Sequence, residues 1–310
     1  MFYSCLGSNL EIIAIMRLSE FLTRIYIPSR IDLTADSIYQ YRLTIRQFNA
    51  FAGSPRISEI TDEMIVGYMR DRLQSGTAPA TINARRTRLL TLLNCAYRKH
   101  LISDPPRDVP RCRESRKVPM AWTADELQRL VTHAGTLAGA VGELPANWYW
   151  QSMIMVCYET GLRVGAVRTL EVNDFHPHGP ALLIRSETQK TLLGQCVPLS
   201  APTAALLAEH LYSPKRTLIF EWPHCPRWFF VRFRKIVESA GLSASRRGHD
   251  LFHKIRRTNI SYLACESLEI ARHQAGHVSA AVTQRFYIDP RIVGERSAVD
   301  LLPKLNLEIR

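Results

Sequence analysis

The sequence predicts a mainly α-helical protein of two domains, with a small antiparallel β-sheet confined to the second. Three features predict it. Apolar residues recur at three- and four-residue steps over most of the chain, a proline-rich basic segment interrupts that pattern, and one later stretch alternates apolar with polar residues. With 310 residues, 46% hydrophobic and 22% charged, the chain is long enough for two ordinary cores and is not composed like a disordered one.

Residues 1–15 read as a loose extension, and Met16 begins "MRLSEFLTRIY", an amphipathic helix. In residues 34–52, Ile38, Tyr41, Ile45, Phe48 and Ala52 form the stripe of a core-facing helix. A second helix starts at Thr61, a plausible N-cap followed by two acids. The stretch from Ala78 to His100 supplies Ile82, Leu89, Leu93 and Tyr97 for burial and places Thr81, Arg85 and Arg88 on the other face. Residues 16–104 are thus a small helical domain with one basic side, on which Arg85, Arg86 and Arg88 are either solvated surface or phosphate contacts.

Residues 105–119 contain Pro105, Pro106, Pro110 and Pro119 among basic residues, including Arg111, Arg113, Arg116 and Lys117. They form a stiff, positively charged linker. Thr123 and Glu126 have capping-box spacing, so the second domain, residues 120–310, opens on a helix. Helices are expected at 147–160 and 164–171. The alternation from Ala181 to Ser200 about a polar middle predicts a hairpin, and helices resume near Ala201, at Pro226 and from Asp250 onward.

The 40 Lys and Arg against 28 Asp and Glu leave a charge of +12, which favours a polyanionic partner, nucleic acid first. Seven scattered cysteines include no C-x-x-C pair. Neither a disulfide framework nor a zinc cage is suggested, His224 and Cys225 lack two further ligands, and a reducing cytoplasm fits best. No stretch approaches the ~20 apolar residues of a membrane span. The apolar opening carries Glu11 and no early basic residue, as a signal peptide would not.

Four pieces of the second domain carry groups suited to a phosphodiester. "ETGLRVGAVRTL" puts Arg163 after a glycine turn, and "SETQKTLLGQCVPL" puts Lys190 beside the hairpin turn. "FHKIRRTNIS" puts His253 and Arg256 on one helical face, and "AGHVS" places His277 ten residues before Tyr287. The order and contexts of these motifs, over about residues 18–300, resemble the tyrosine recombinase (phage-type integrase) family, which includes the Xer recombinases. The resemblance implies an N-terminal helical (SAM-like) core-binding domain that closes around double-stranded DNA with the linker. It further implies that Arg163 and Arg256 are catalytic arginines, Lys190 the hairpin lysine, His253 and His277 the two histidines and Tyr287 the nucleophile. A homotetramer on paired DNA sites, assembled from monomers at the nucleoid, is also implied.

The residue types suit that chemistry. Two planar, always-charged guanidiniums can grip the extra charge on a pentavalent phosphate. The Tyr287 phenol needs a base as it attacks, a task that suits His253. The leaving 5′-oxygen needs a proton, which suits Lys190. The 3′-phosphotyrosyl bond has about the energy of the bond it replaces, so neither ATP nor a metal is required, in keeping with the absence of a Walker motif or carboxylate cluster.

Two departures stand out. Ala166 occupies a place where the family commonly has an acid, three positions after the first arginine. The place where the family commonly has its tyrosine, nine residues after the "GH" histidine, holds Phe286, with Tyr287 one later. If the loop carries one extra residue, Tyr287 reaches the phosphate and the protein is a site-specific recombinase, such as the integrase of a mobile element. If it does not, the protein binds DNA as an architectural factor without cutting it. A type IB topoisomerase-like relaxing activity shares the same chemistry. Beyond Tyr287, Val293, Ala298, Leu301, Leu302 and Leu305 need a partner surface, either on this chain's own core or, as the resemblance implies, on a neighbouring protomer.

Overall fold

The computed structural model describes residues 16–115, 118–188, 194–211, 216–244, 248–277 and 279–293, in two compact units, Met1–Arg116 and Lys117–Arg310. The C-terminal tail expected to meet a partner lies, apart from Val293, outside the described residues.

The first unit is helical. Helix α1 (Leu18–Phe21) runs into a π turn, Leu22–Tyr26, and is followed by α2 (Ala35–Ala52), α3 (Asp62–Gln74) and α4 (Pro79–Arg98). Their starts are written locally: Thr34 accepts from the Ser37 amide and Thr61 from the Met64 amide. The core gathers Phe21, Phe48, Tyr68, Leu89 and Leu92, with Phe48 meeting Tyr68 edge-on at 5.5 Å. Tyr97 is not buried as its spacing suggests: it stands 40% exposed near the end of α4, with the Arg107 guanidinium over its ring.

The first part of the basic, proline-rich segment is held against α4. Asn83 donates to the Cys112 carbonyl and accepts from the Cys112 amide, and Arg86 donates twice to the Val109 carbonyl. Val109 is buried in the first core. Pairing its amides and carbonyls with α4 side chains gives the irregular backbone the partners it needs when it leaves water.

The second unit is built around a central helix. Helix α5 (Ala124–Gly135) carries the full Thr123–Glu126 capping box. A short hairpin, β1 (Ala140–Val141) and β2 (Leu144–Pro145), leads into α6 (Ala146–Thr160). Helix α6 is buried on all sides, with Trp148, Tyr149, Trp150, Met153, Ile154 and Val156 inside, as expected of a helix wrapped by its neighbours. Helix α7 (Val164–Val167) is shorter than the spacing suggests. Beyond it the chain is drawn into β-type pairing: the Ile219 amide donates to Leu170 and the Val172 amide to Thr217. The strands β3 (Phe175–His176), β4 (Ala181–Ile184) and β5 (Gln195–Pro198) form the expected antiparallel sheet, with Leu182 opposite Val197. The remaining helices are α8 (Ala201–Ala208), α9 (Pro226–Ser239), α10 (Gly248–Glu266), α11 (Leu268–Gln274), α12 (Ala280–Phe286) and α13 (Pro290–Val293).

Candidate active site

The site starts at the C-terminal end of α6. Gly161 closes that helix in a left-handed conformation (φ 62°), and a Cβ there would collide with the Asn259 amide. The last carbonyls of α6 would be orphans in a buried turn. Three side chains from α10 and α11 supply the donors. Gln274 donates to the Glu159 and Thr160 carbonyls at 3.2 and 2.9 Å, Asn259 donates to Glu159 at 3.5 Å, and Arg256 Nη1 donates to Gly161. These bonds fix the turn from which half-buried Arg163 projects as the residue before α7.

Arg256 is the hub. Only 2% exposed, it also donates through Nη2 to the Ala275 carbonyl at 2.7 Å and meets His277 Nε2 at 3.0 Å. Its Nε is buried with no partner among the described residues, an unpaired donor of the kind a folded protein seldom keeps. Burial lowers its pKa, the neighbouring Tyr287 phenol works the other way, and the Arg163 charge lowers it further. The guanidinium nevertheless remains charged at neutral pH.

His277 is 7% exposed, and burial together with the charges of Arg256 and Arg163 pushes its pKa down to about 4. Arg256 can only donate, so Nε2 accepts and the ring proton sits on Nδ1, within 2.9 Å of Thr283 Oγ1. His277 is therefore a neutral imidazole that orients Arg256.

Tyr287, not Phe286, faces this cluster. Helix α12 ends at Phe286, which is 52% exposed with Arg285 over its ring. The next residue turns inward: the Tyr287 ring lies 4.5 Å from that of His277 and has the Arg256 guanidinium over it at 5.1 Å. Its backbone is tethered to α10, since Ser261 Oγ donates to the Tyr287 carbonyl at 3.1 Å and accepts from the Asp289 amide at 2.9 Å. The fully buried Asp289 accepts from the Ala121 amide at 2.7 Å and from the Arg291 guanidinium. Burial tends to raise the Asp289 pKa, but the bonds from Arg291 and Ala121 outweigh it and hold the carboxyl ionised.

The remaining sequence-predicted residues divide. His253 lies on α10 one turn before Arg256, half-buried. Lys190, Arg116 and Lys117 lie outside the described residues. In the first unit Arg85 and Arg88 are half-buried on α4, Arg113 is exposed, Arg111 pairs with Glu114 at 3.7 Å, and Arg86 is engaged with Val109. The supporting residues Asn259, Ser261, Gln274, Thr283 and Asp289 escape sequence reasoning. Each acts by completing a hydrogen bond to backbone or to a side chain outside its own helix, and no spacing rule marks such a residue. Ala166 is buried, as a residue without a charge can be.

The model of the phage integrase family matches residues 121–291, more than half of the chain. The chain belongs to the phage integrase family. Among curated relatives of this integrase, the tyrosine recombinase XerC of Proteus mirabilis is 22% identical over 279 residues, covering 87% of this chain and 88% of that one. A putative tyrosine recombinase XerC of Pseudomonas aeruginosa is 24% identical over 189 residues, 58% of this chain and 44% of that one. Among solved structures, a lambda integrase dimer bound to a COC′ core site superposes with a TM-score of 0.69 at 18% identity, covering 95% of this chain and 100% of that one. The Tn1549 transposon integrase in complex with transposon right end DNA gives 0.71 at 14% identity, covering 91% and 100%. These last two share the integrase fold. The protein is accordingly a DNA strand-transferring enzyme of the tyrosine recombinase family. Among the described residues, no helix is long and apolar enough to cross a membrane and no group of three or more ligating side chains could hold a metal.

Proposed function

We propose that this integrase cuts and rejoins DNA at specific sites through a 3′-phosphotyrosyl intermediate formed on Tyr287, and that it serves a mobile element. The Tyr287 oxygen attacks phosphorus, its proton passes to His253, and the 5′-oxygen leaves with a proton from Lys190. The reverse attack by a second strand's 5′-hydroxyl releases Tyr287 and completes the exchange. Arg163 and Arg256 neutralise the charge that builds on the non-bridging oxygens. His277 stays neutral and holds the Arg256 fork in place.

The observation that carries this reading is the inward turn of Tyr287 onto His277 and Arg256 while Phe286 points away. The phenol one residue late is the one beside the arginine.

The helical first domain, residues 16–104, grips the duplex through Arg85 and Arg88, and the linker adds Arg111, Arg113, Arg116 and Lys117. Arg86 holds the linker in place. Four protomers act together on paired sites, in line with the solved lambda integrase tetramer bound to a Holliday junction. A nicked suicide substrate, which traps the enzyme on DNA because the short fragment bearing the freed 5′-hydroxyl diffuses away, tests the reading. A covalent protein–DNA band is expected, and its absence would leave a DNA-binding protein without strand transfer.

A further inference from the structure

An acid occupies the last turn of α6. Glu159 stands four residues before Arg163, at a helix end where the macrodipole favours a cation. Its carboxylate is nonetheless fixed by three donors from the start of α8. Oε2 accepts from the Ser200 amide at 2.9 Å, and Oε1 accepts from the Ser200 and Thr203 hydroxyls, both at 2.6 Å. Bonds to an ionised acceptor are the strong ones. Thr203 is 1% exposed, and Ser200 caps α8 by accepting from the Thr203 amide. The carbonyl of the same residue takes Asn259 from α10 and Gln274 from α11, and Asn259 lies three residues after Arg256. Glu159 is thus the point at which the end of α6 is joined to α8, α10 and α11.

The path from Glu159 to Arg163 has little slack. Thr160 Oγ1 donates to the Val156 carbonyl at 2.6 Å and accepts from the Leu162 amide at 3.3 Å, and Thr160 and Leu162 are both buried. A packed connection of this kind transmits displacement. A tilt of the last turn of α6 therefore moves Arg163, whose charge is felt by Arg256 and His277.

We propose that the Glu159 carboxylate is a positioning group: by anchoring the last turn of α6 to α8, it sets where Arg163 stands relative to Arg256. The inference rests on the reading that Arg163 neutralises charge on the scissile phosphate. Two guanidiniums must meet the oxygens of one phosphate, and a misplacement of about 1 Å at such a site is costly.

Two substrates test it in the full chain: a nicked duplex, and the same duplex with a methylphosphonate at the scissile position, where a methyl group replaces one charged oxygen. With one negative charge fewer, a single guanidinium suffices, so a defect that acts through Arg163 shrinks. Glu159→Ala should lower single-turnover cleavage of the phosphodiester at least ~10-fold at saturating protein, with DNA affinity within about twofold, and cleavage of the methylphosphonate less than ~3-fold. Thr203→Val removes one donor to the carboxylate and should lower phosphodiester cleavage at least ~3-fold with the same substrate dependence. It carries the test if urea unfolding shows that Glu159→Ala does not fold. Arg163→Ala is the reference and should lose more on the phosphodiester than on the methylphosphonate. The inference is overturned by phosphodiester cleavage within about twofold of wild type in Glu159→Ala, or in Thr203→Val where Glu159→Ala is unfolded, and equally by the same deficit on both substrates. A wild type that forms no adduct on either substrate removes the reading beneath it, whereas an active wild type with any of those results removes this inference alone.

Discussion

The Arg256 guanidinium lies over the ring of Tyr287, 5.1 Å from its centroid, and meets Nε2 of His277 at 3.0 Å. That placement joins a group suited to gripping phosphate oxygens to a group suited to attacking phosphorus. It also sets an electrostatic requirement: a protonated His277 beside Arg256 and Arg163 would be a third positive charge in one buried cluster, and its depressed pKa keeps it neutral.

Replacing either arginine by lysine keeps the charge and loses the planar fork. Arg163→Lys and Arg256→Lys should each lower cleavage at least ~100-fold with little change in DNA affinity. Single-turnover cleavage and filter binding check this, and cleavage within a few-fold of wild type would make the arginines structural.

The pH dependence of stability follows from His277. Its folded pKa, about 4, lies below the unfolded value near 6.5, so the unfolded chain takes up the proton first. Stability should fall as pH drops from about 6.5 to about 4, by on the order of 2–3 kcal/mol, and this contribution should level off below. Urea unfolding of wild type and His277→Gln across that range isolates it, because carboxylates such as Asp289, also depressed, lose their stabilisation at lower pH. Equal slopes in the two proteins would contradict the assignment.

Asp289 ties the segment after Tyr287 to the start of the second unit through Ala121. Asp289→Ala strands the Ala121 amide and leaves the Arg291 guanidinium without its partner, and should cost about 2–4 kcal/mol. Cleavage should fall alongside, as the Tyr287 backbone loosens. Denaturant midpoints and cleavage rates measure the two effects, and a stability change under about 0.5 kcal/mol would refute the tether.

Much of this was legible in the sequence because local rules governed it. Thr61, and Thr123 with Glu126, announced helix starts through capping chemistry that needs only neighbouring residues. The alternation about Leu182 and Val197 announced the hairpin. The candidate site groups stand out because guanidinium, imidazole and phenol are uncommon in ordered company. What stayed hidden depended on distant partners. Gln274 matters for carbonyls more than a hundred residues earlier, and Arg86, with the spacing of a surface cation, is drawn to Val109 by a segment whose path no periodicity reveals. Helix α7 stops early because residues 217–219 compete for its backbone, also a long-range effect. The place of Tyr287 turned on where α12 ends, and helix ends are set by one or two residues.

Binding to DNA should weaken with salt, and Arg111→Gln, Arg113→Gln, Arg116→Gln and Lys117→Gln together should lower the log–log slope by about 0.9 for each phosphate that is no longer neutralised. Arg86→Gln should leave the slope unchanged and lower the stability of the first domain, since its N–H groups serve Val109. A slope that responds to Arg86 and not to the four linker residues would reverse these roles.

The most direct test of the account identifies the residue that carries the DNA. The wild-type protein trapped on a nicked substrate is digested, and the nucleotide-bearing peptide is sequenced by mass spectrometry. The phosphodiester is predicted on Tyr287, with Tyr287→Phe binding DNA but forming no adduct and Phe286→Tyr leaving the attachment at Tyr287. An adduct on any other residue, or one that persists in Tyr287→Phe, would contradict the account.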